Sequence, residues 1–248
     1  MPISVRFHGF AAIILGVPAL VFGKFGAMGL ALPASMASRP LAMALAAFLI
    51  LAGLALNLKR TAAVAALALA AFFGLRVLAL EVPRAFSQLN VWVTWEVIAE
   101  PLAMAIGALL ACLLVRDRRS GRAAMLLRLL PRLFGACLVV FGTSELVYAV
   151  FTATFVPAWL PPSQIFWAYV TGACQIAAGL ALLSGIKAHL AAILLTVMYL
   201  VFALIVHPPR VLADPSAPGA WAENGVNLVL MGAAWIVAET LGRRRAGR

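Results

Sequence analysis

The chain has 248 residues, of which 65% are hydrophobic and 11% charged, and it carries a net charge of +11. A soluble domain is roughly 45–50% apolar and about 25% charged, so the composition excludes a soluble enzyme, a nucleic-acid-binding domain, a disordered chain and a disulfide scaffold. Long apolar runs without strand-like alternation exclude an outer-membrane barrel, and leave an all-α membrane protein with room for about eight spans of roughly 20 residues each.

The first apolar run covers residues 9–31, with Arg6 before it and Lys24 inside it. Ser35-Met36-Ala37 offers small residues near a possible cleavage point. The run is nevertheless too long for a signal-peptide core of roughly 7–15 residues, and a retained helix is expected. Gly23, Gly26 and Gly29 lie along it, where small residues permit close helix contact. The second run is 41–57 and the third 61–80, with Arg76 near its outer end and Pro83-Arg84 closing it. The fourth, 92–115, places Glu96 and Glu100 one turn apart on one face. Pro101 directly after them is expected to loosen the helix and free carbonyls to line a cavity.

An Arg-rich stretch, 116–132, leads into the fifth run. It reads either as an amphipathic helix on the membrane surface or as a simple lead into the span. The fifth run, 130–156, has Glu145 near its middle, and the Pro/Trp segment 156–162 after it cannot be helical across its prolines. The sixth (165–184), seventh (188–206) and eighth (221–241) complete the set, with Pro208-Pro209-Arg210 closing the seventh. Trp159, Trp167 and Trp221 suit an interfacial belt. Cys112, Cys137 and Cys174 form no C-x-x-C pair, and His207 has no histidine partner on its side, so neither a thiol relay nor a metal site is expected.

Between the runs the basic residues alternate. Fourteen fall on one side: Arg6, Lys59, Arg60, Arg116, Arg118, Arg119, Arg122, Arg128, Arg132, Lys187, Arg243, Arg244, Arg245 and Arg248. Three, Arg39, Arg84 and Arg210, fall on the other. That asymmetry is a positive-inside signal and puts both termini in the cytoplasm. The basic excess is topology, with the lipid bilayer as partner and no nucleic acid.

The chain also repeats itself. Ala52-Gly53-Leu54-Ala55-Leu56 recurs as Ala178-Gly179-Leu180-Ala181-Leu182, and the same 126-residue spacing carries Pro83-Arg84 onto Pro209-Arg210 and Trp95 onto Trp221. Upstream, Phe22-Gly23 aligns with Phe141-Gly142 at a spacing of 119, which implies a longer loop after the first helix of the second copy. The expected organisation is a first four-helix repeat at 1–115, a cytoplasmic Arg-rich linker at 116–129, and a second four-helix repeat with a basic tail at 130–248. Four helices per copy make the repeat parallel, giving two four-helix bundles side by side, N-in and C-in.

Ionisable groups inside a bilayer mark a site or a buried pair. Lys24, Arg76, Glu96, Glu100 and Glu145 all fall in the outer half of the membrane, four of the five in the first copy. One reading is charge neutralisation, with Arg76 and Lys24 paired to Glu96 and Glu100. The other is a polar pocket, open to the outer face, for a small polar or quinone-like head group. The second-copy positions matching Arg76, Glu96 and Glu100 are Phe202, Ala222 and Val226, so the first copy is expected to hold any site. No phosphate-binding glycine loop, nucleophile elbow or H-E-x-x-H is present, and no catalytic residue or metal ligand is assigned.

Each copy resembles the four-helix DoxX family of bacterial membrane proteins. The second does so through Phe141-Gly142, Val156-Pro157-Ala158-Trp159-Leu160-Pro161, Trp167-Ala168-Tyr169-Val170-Thr171-Gly172, Ala178-Gly179-Leu180, and Lys187 with Leu190-Ala191-Ala192. In the first, Phe22-Gly23-Lys24-Phe25 is similar to the family's glycine-plus-lysine element. The resemblance implies a bacterial inner-membrane protein. Some relatives are the membrane subunit of a thiosulfate:quinone oxidoreductase and others associate with redox-protective enzymes. The leading expectation is therefore a non-catalytic membrane subunit or scaffold for a redox partner, with quinone as the candidate cofactor. A small-solute or ion transporter and a membrane-embedded acid–base enzyme acting on a lipophilic substrate are the alternatives.

Overall fold

The computed structural model describes residues 1–30, 37–117 and 120–246. Ser35 and Met36 of the cleavage-like segment, and Arg118, Arg119 and Arg248 of the basic set, lie outside the described residues. Eight helices are long and apolar enough to cross a membrane: α1 Ile3–Phe22, α2 Arg39–Leu56, α3 Ala62–Ala85, α4 Trp92–Val115, α5 Gly121–Val147, α6 Gln164–Ser184, α7 Ala188–Ala213 and α8 Pro218–Arg244. Among the described residues there are no strands.

Local chemistry sets the helix ends. Gly23 takes the left-handed conformation (φ 61°) and returns its N–H to the Ala19 carbonyl at 2.9 Å, which terminates α1. Lys24 therefore lies beyond the span rather than inside it, exposed at the head of a short 3₁₀ turn, Phe25–Met28. At the start of α6 the Ser163 hydroxyl accepts the Phe166 amide at 3.3 Å, and Gly185 (φ 82°) ends that helix.

The prolines behave differently from expectation. Val77–Glu81 in α3 and Phe202–Val206 in α7 are wound as π-helix. The wider turn shifts the helical register, so Pro83 and Pro208 fall in the first turn of the α-helical stretches beyond, Val82–Ala85 and His207–Ala213. There a missing N–H is tolerated. Neither helix closes at its proline. Pro101 and Pro131 also lie inside continuous helices, so α4 runs on past Glu100 without a break. The Arg-rich stretch from Gly121 onward forms the first turns of α5, which makes it a lead into the span.

Successive helices pack against their chain neighbours, α5 on α4 included, and α1 also packs on α8. The first helix of each half thus rests on the last helix of the other. Because α4 also touches α8, the eight helices form two five-membered rings, α8-α1-α2-α3-α4 and α4-α5-α6-α7-α8, sharing α4 and α8 at the centre. The hydrogen bond from Ser4 to Glu239 brings the start of α1 beside the end of α8.

Glycines make the tight seams. A Cβ on Gly9 would lie 2.7 Å from the Gly53 carbonyl oxygen, and one on Gly179 would lie 2.6 Å from that of Gly135. Backbones that close gain dispersion contact that larger side chains would prevent. Gly225 and Gly232 seat α8 on Leu15 and His8 of α1 in the same way. His8 is fully buried there, facing Gly107 of α4 as well.

Candidate ligand-binding site

A cavity of about 950 Å³ lies within the α4–α8 ring, toward the end that carries the α5–α6 and α7–α8 loops. Its walls are largely apolar and aromatic, including Phe141, Phe151, Phe155, Trp167, Met198 and Phe202. Polar groups come from all five helices of the ring: Glu96 and Glu100 from α4, Ser144 and Glu145 from α5, Thr171 and Gln175 from α6, and Tyr199 and Asn227 from α7 and α8. His207 and Glu223 stand nearer the mouth.

Each polar group is positioned by a neighbouring helix. Trp92 donates its indole N–H to the Val140 carbonyl at 3.2 Å, and the Tyr148 hydroxyl accepts the Val93 amide at 3.3 Å. These two bonds tie α4 to α5 and hold Glu96 opposite Ser144, whose hydroxyl donates to it. The next residue, Glu145, accepts the Thr171 hydroxyl at 2.6 Å and the Gln175 side-chain amide. Thr171 and Gln175 are one turn apart on α6, so both face α5. Asn227 donates to the Tyr199 carbonyl at 3.0 Å across α7 and α8. The Tyr199 hydroxyl and the Gln175 carbonyl oxygen are buried without a hydrogen-bond partner.

Arg76 lies outside this cavity. Its Nε donates to Glu81 at 3.0 Å and its Nη2 sits 3.6 Å from Glu100, while Arg84 approaches Glu81 at 3.7 Å. Arg76 and Glu81 are 7% and 2% exposed, a buried pair placed by the π-helical turn of α3. At the mouth, Arg210 pairs with Glu223 at 3.0 Å and lies 4.1 Å over the Phe155 ring. Among the described residues, no group of three or more His, Cys, Asp and Glu side chains is placed to hold a metal ion.

Of the five residues singled out in the sequence, Glu96, Glu100 and Glu145 converge on the cavity, Arg76 touches it through Glu100, and Lys24 is elsewhere. The expected pairing of Lys24 with a glutamate is absent among the described residues. Glu81, Gln175, Tyr199 and Asn227 were not anticipated. Thr171 and Gln175, two polar residues at helical spacing in an apolar span, were the available signal. The cavity is also mostly a feature of the second half, to which the first contributes α4.

Residues 123–208 match the DoxX family model. That segment is DoxX-like, and it lies among helices long and apolar enough to cross a membrane. The matched segment takes in nearly all of α5, all of α6 and most of α7, three of the five helices that wall the cavity. No curated protein and no solved structure matches the chain.

Proposed function

We propose that this DoxX-like protein binds a small amphiphile from the bilayer in the α4–α8 cavity, and that it serves as the membrane subunit or scaffold for a partner that uses that molecule. The observation carrying this reading is the mixed cavity wall, in which acidic and hydrogen-bonding groups stand together with a larger apolar and aromatic surface. Such a wall orients a molecule with one polar end. A quinone-linked redox partner is the form of this role that the DoxX resemblance suggests. Transport is less well supported, because the other end of the ring is sealed by Phe134, Leu138, Leu182 and Leu195, all buried.

A repeat underlies the architecture in this reading. Supporting it, the Gly9–Gly53 and Gly135–Gly179 contacts stand 126 residues apart, and so do the indole bonds from Trp95 to Leu89 and from Trp221 to Pro215. The glycines favour one 126-residue register for the first helices too, in place of the 119 given by Phe22-Gly23. In that register Ala19, Leu49 and Phe73 correspond to Glu145, Gln175 and Tyr199, so the first ring carries apolar side chains where the second carries polar ones. The end carrying both termini and most of the basic residues faces the cytoplasm of a bacterial inner membrane, with the cavity toward the outer face.

The test is purification in mild detergent with mass spectrometry of co-purifying lipids, small molecules and proteins, beside the cavity-filling variant Cys174→Trp. A bound amphiphile in the wild type that is lost in the variant is the expected result. A stoichiometric redox enzyme would extend it to the partner. Identical contents in the two preparations would remove the cavity from the function.

A further inference from the structure

The hydrogen-bonding inventory of the cavity is lopsided. Ser144, Thr171 and the Gln175 amide already spend their donors on Glu96 and Glu145. A carboxylate offers about four lone-pair sites, so both acids retain acceptor capacity. Gln175 adds a carbonyl oxygen with no partner, in a side chain 3% exposed. Among the described residues no Lys, Arg or His forms an ion pair with Glu96 or Glu145. What remains to donate carries no full charge: tyrosine hydroxyls, including that of Tyr199, the Thr152 hydroxyl, the second hydrogens of the Gln175 and Asn227 amides, and the His207 imidazole at the mouth.

A quinone presents two carbonyl acceptors and needs donors from its site. This cavity offers only uncharged donors, beside two acids that have no ion-pair partner among the described residues. Charge inside a membrane is stabilised by a counter-charge, and a cation over aromatic rings gains further attraction. Phe141, Phe151 and Trp167 supply those rings.

Resting on the amphiphile-binding reading above, we infer that the cavity takes an amphiphile whose head group is a hydrogen-bond-donating cation, a primary or secondary alkylammonium. The head sits among Glu96, Glu145 and the Gln175 carbonyl, and the apolar body lies along the aromatic wall.

The experiment is titration of the full chain in lipid nanodiscs, with empty nanodiscs as reference, using decylamine, 1-decanol, decyltrimethylammonium and 2-decyl-1,4-benzoquinone. Decylamine, protonated at neutral pH, is expected to bind at least about tenfold more tightly than each of the others, the scale of a hydrogen bond to a charged group. Glu145→Gln and Glu96→Gln are each expected to weaken it by about tenfold. Equal binding of amine and alcohol, equal binding of the trimethylammonium probe, or tighter binding of the quinone would overturn the inference and leave the amphiphile reading standing. No binding of any probe, or binding unaffected by Cys174→Trp, would overturn the amphiphile reading itself. The ranking on wild-type protein decides the matter even where a glutamate variant fails to fold.

Discussion

Gln175 of α6 donates its side-chain amide to Glu145 of α5, and its own carbonyl oxygen is buried without a partner. The two facts are linked. Turned the other way, the amide would point an acceptor at a carboxylate, so satisfying Glu145 is what leaves the carbonyl open. The pair spans α5 and α6, which pack closely along their length. It therefore couples the seam of the fold to the chemistry of the cavity.

Replacing Gln175 with Leu leaves Glu145 with only the Thr171 hydroxyl. A hydrogen bond to a charged group is worth about 1.5–3 kcal/mol, and a loss of that size in thermal unfolding is expected. The double variant Glu145→Leu/Gln175→Leu should recover part of it, because two matched apolar groups leave nothing unpaired. Additive losses in the double-mutant cycle would show the two residues to be energetically independent.

Arg76 and Glu81 form a pair with both side chains buried, so removing one partner is far worse than removing both. Arg76→Met should cost about 3–5 kcal/mol, seen as loss of folded yield or a large fall in Tm. Arg76→Met/Glu81→Met should restore part of that stability, because Glu100, 3.6 Å from Arg76, still loses its cation. A single variant as stable as the wild type would mean that the Arg84 guanidinium, 3.7 Å from Glu81, suffices alone.

Composition and run length make the eight spans legible, because burial in lipid demands about 20 apolar residues whatever their order. Glu96, Glu100 and Glu145 were legible for the converse reason, that a charge in such a run is conspicuous. Two things were hidden. The π-helical turns at Val77–Glu81 and Phe202–Val206 are a register shift with no compositional mark, so Pro83 and Pro208 read as helix stops. The packing of α1 on α8 and α5 on α4 is a choice among apolar surfaces that look alike in sequence. With each half read as its own bundle, the acids of α4 went to the first half, although they face into the second. Gln175 and Tyr199 escaped notice because one polar atom in an apolar span gains meaning only from what it faces.

The glycine seams give a graded test. An added Cβ at Gly179 would stand 2.6 Å from the Gly135 carbonyl and 2.8 Å from Val139, with backbone on one side that cannot yield cheaply. Gly179→Ala should cost about 1–3 kcal/mol by overpacking. Gly74, inside α3, has nothing within 4 Å of that position. Gly74→Ala should be neutral or stabilising by about 0.5–1 kcal/mol, as expected for a helix interior. Thermal melts of the two variants in one detergent check the order, and similar losses at both sites would refute the close α5–α6 approach.

Trp95, Trp167 and Trp221 each donate an indole N–H to a carbonyl six residues earlier, on Leu89, Pro161 and Pro215, at 3.1, 2.8 and 2.9 Å. Each bond fastens a helix start to the loop before it, and those loops surround the mouth end of the molecule. Substitution by Phe keeps the ring and removes only the donor. Each change should cost about 0.5–1.5 kcal/mol, the net worth of a single hydrogen bond. Trp95 and Trp221 occupy the same place in the proposed repeat, so their losses should agree within about 0.5 kcal/mol. Trp167→Phe should additionally loosen the cavity, since Trp167 lines it and the other two do not. Chemical-denaturant unfolding of the three variants, followed by tryptophan fluorescence of the remaining indoles, measures the losses. A Trp95 variant indistinguishable from wild type beside a strongly destabilised Trp221 variant would break the equivalence of the two halves at this point.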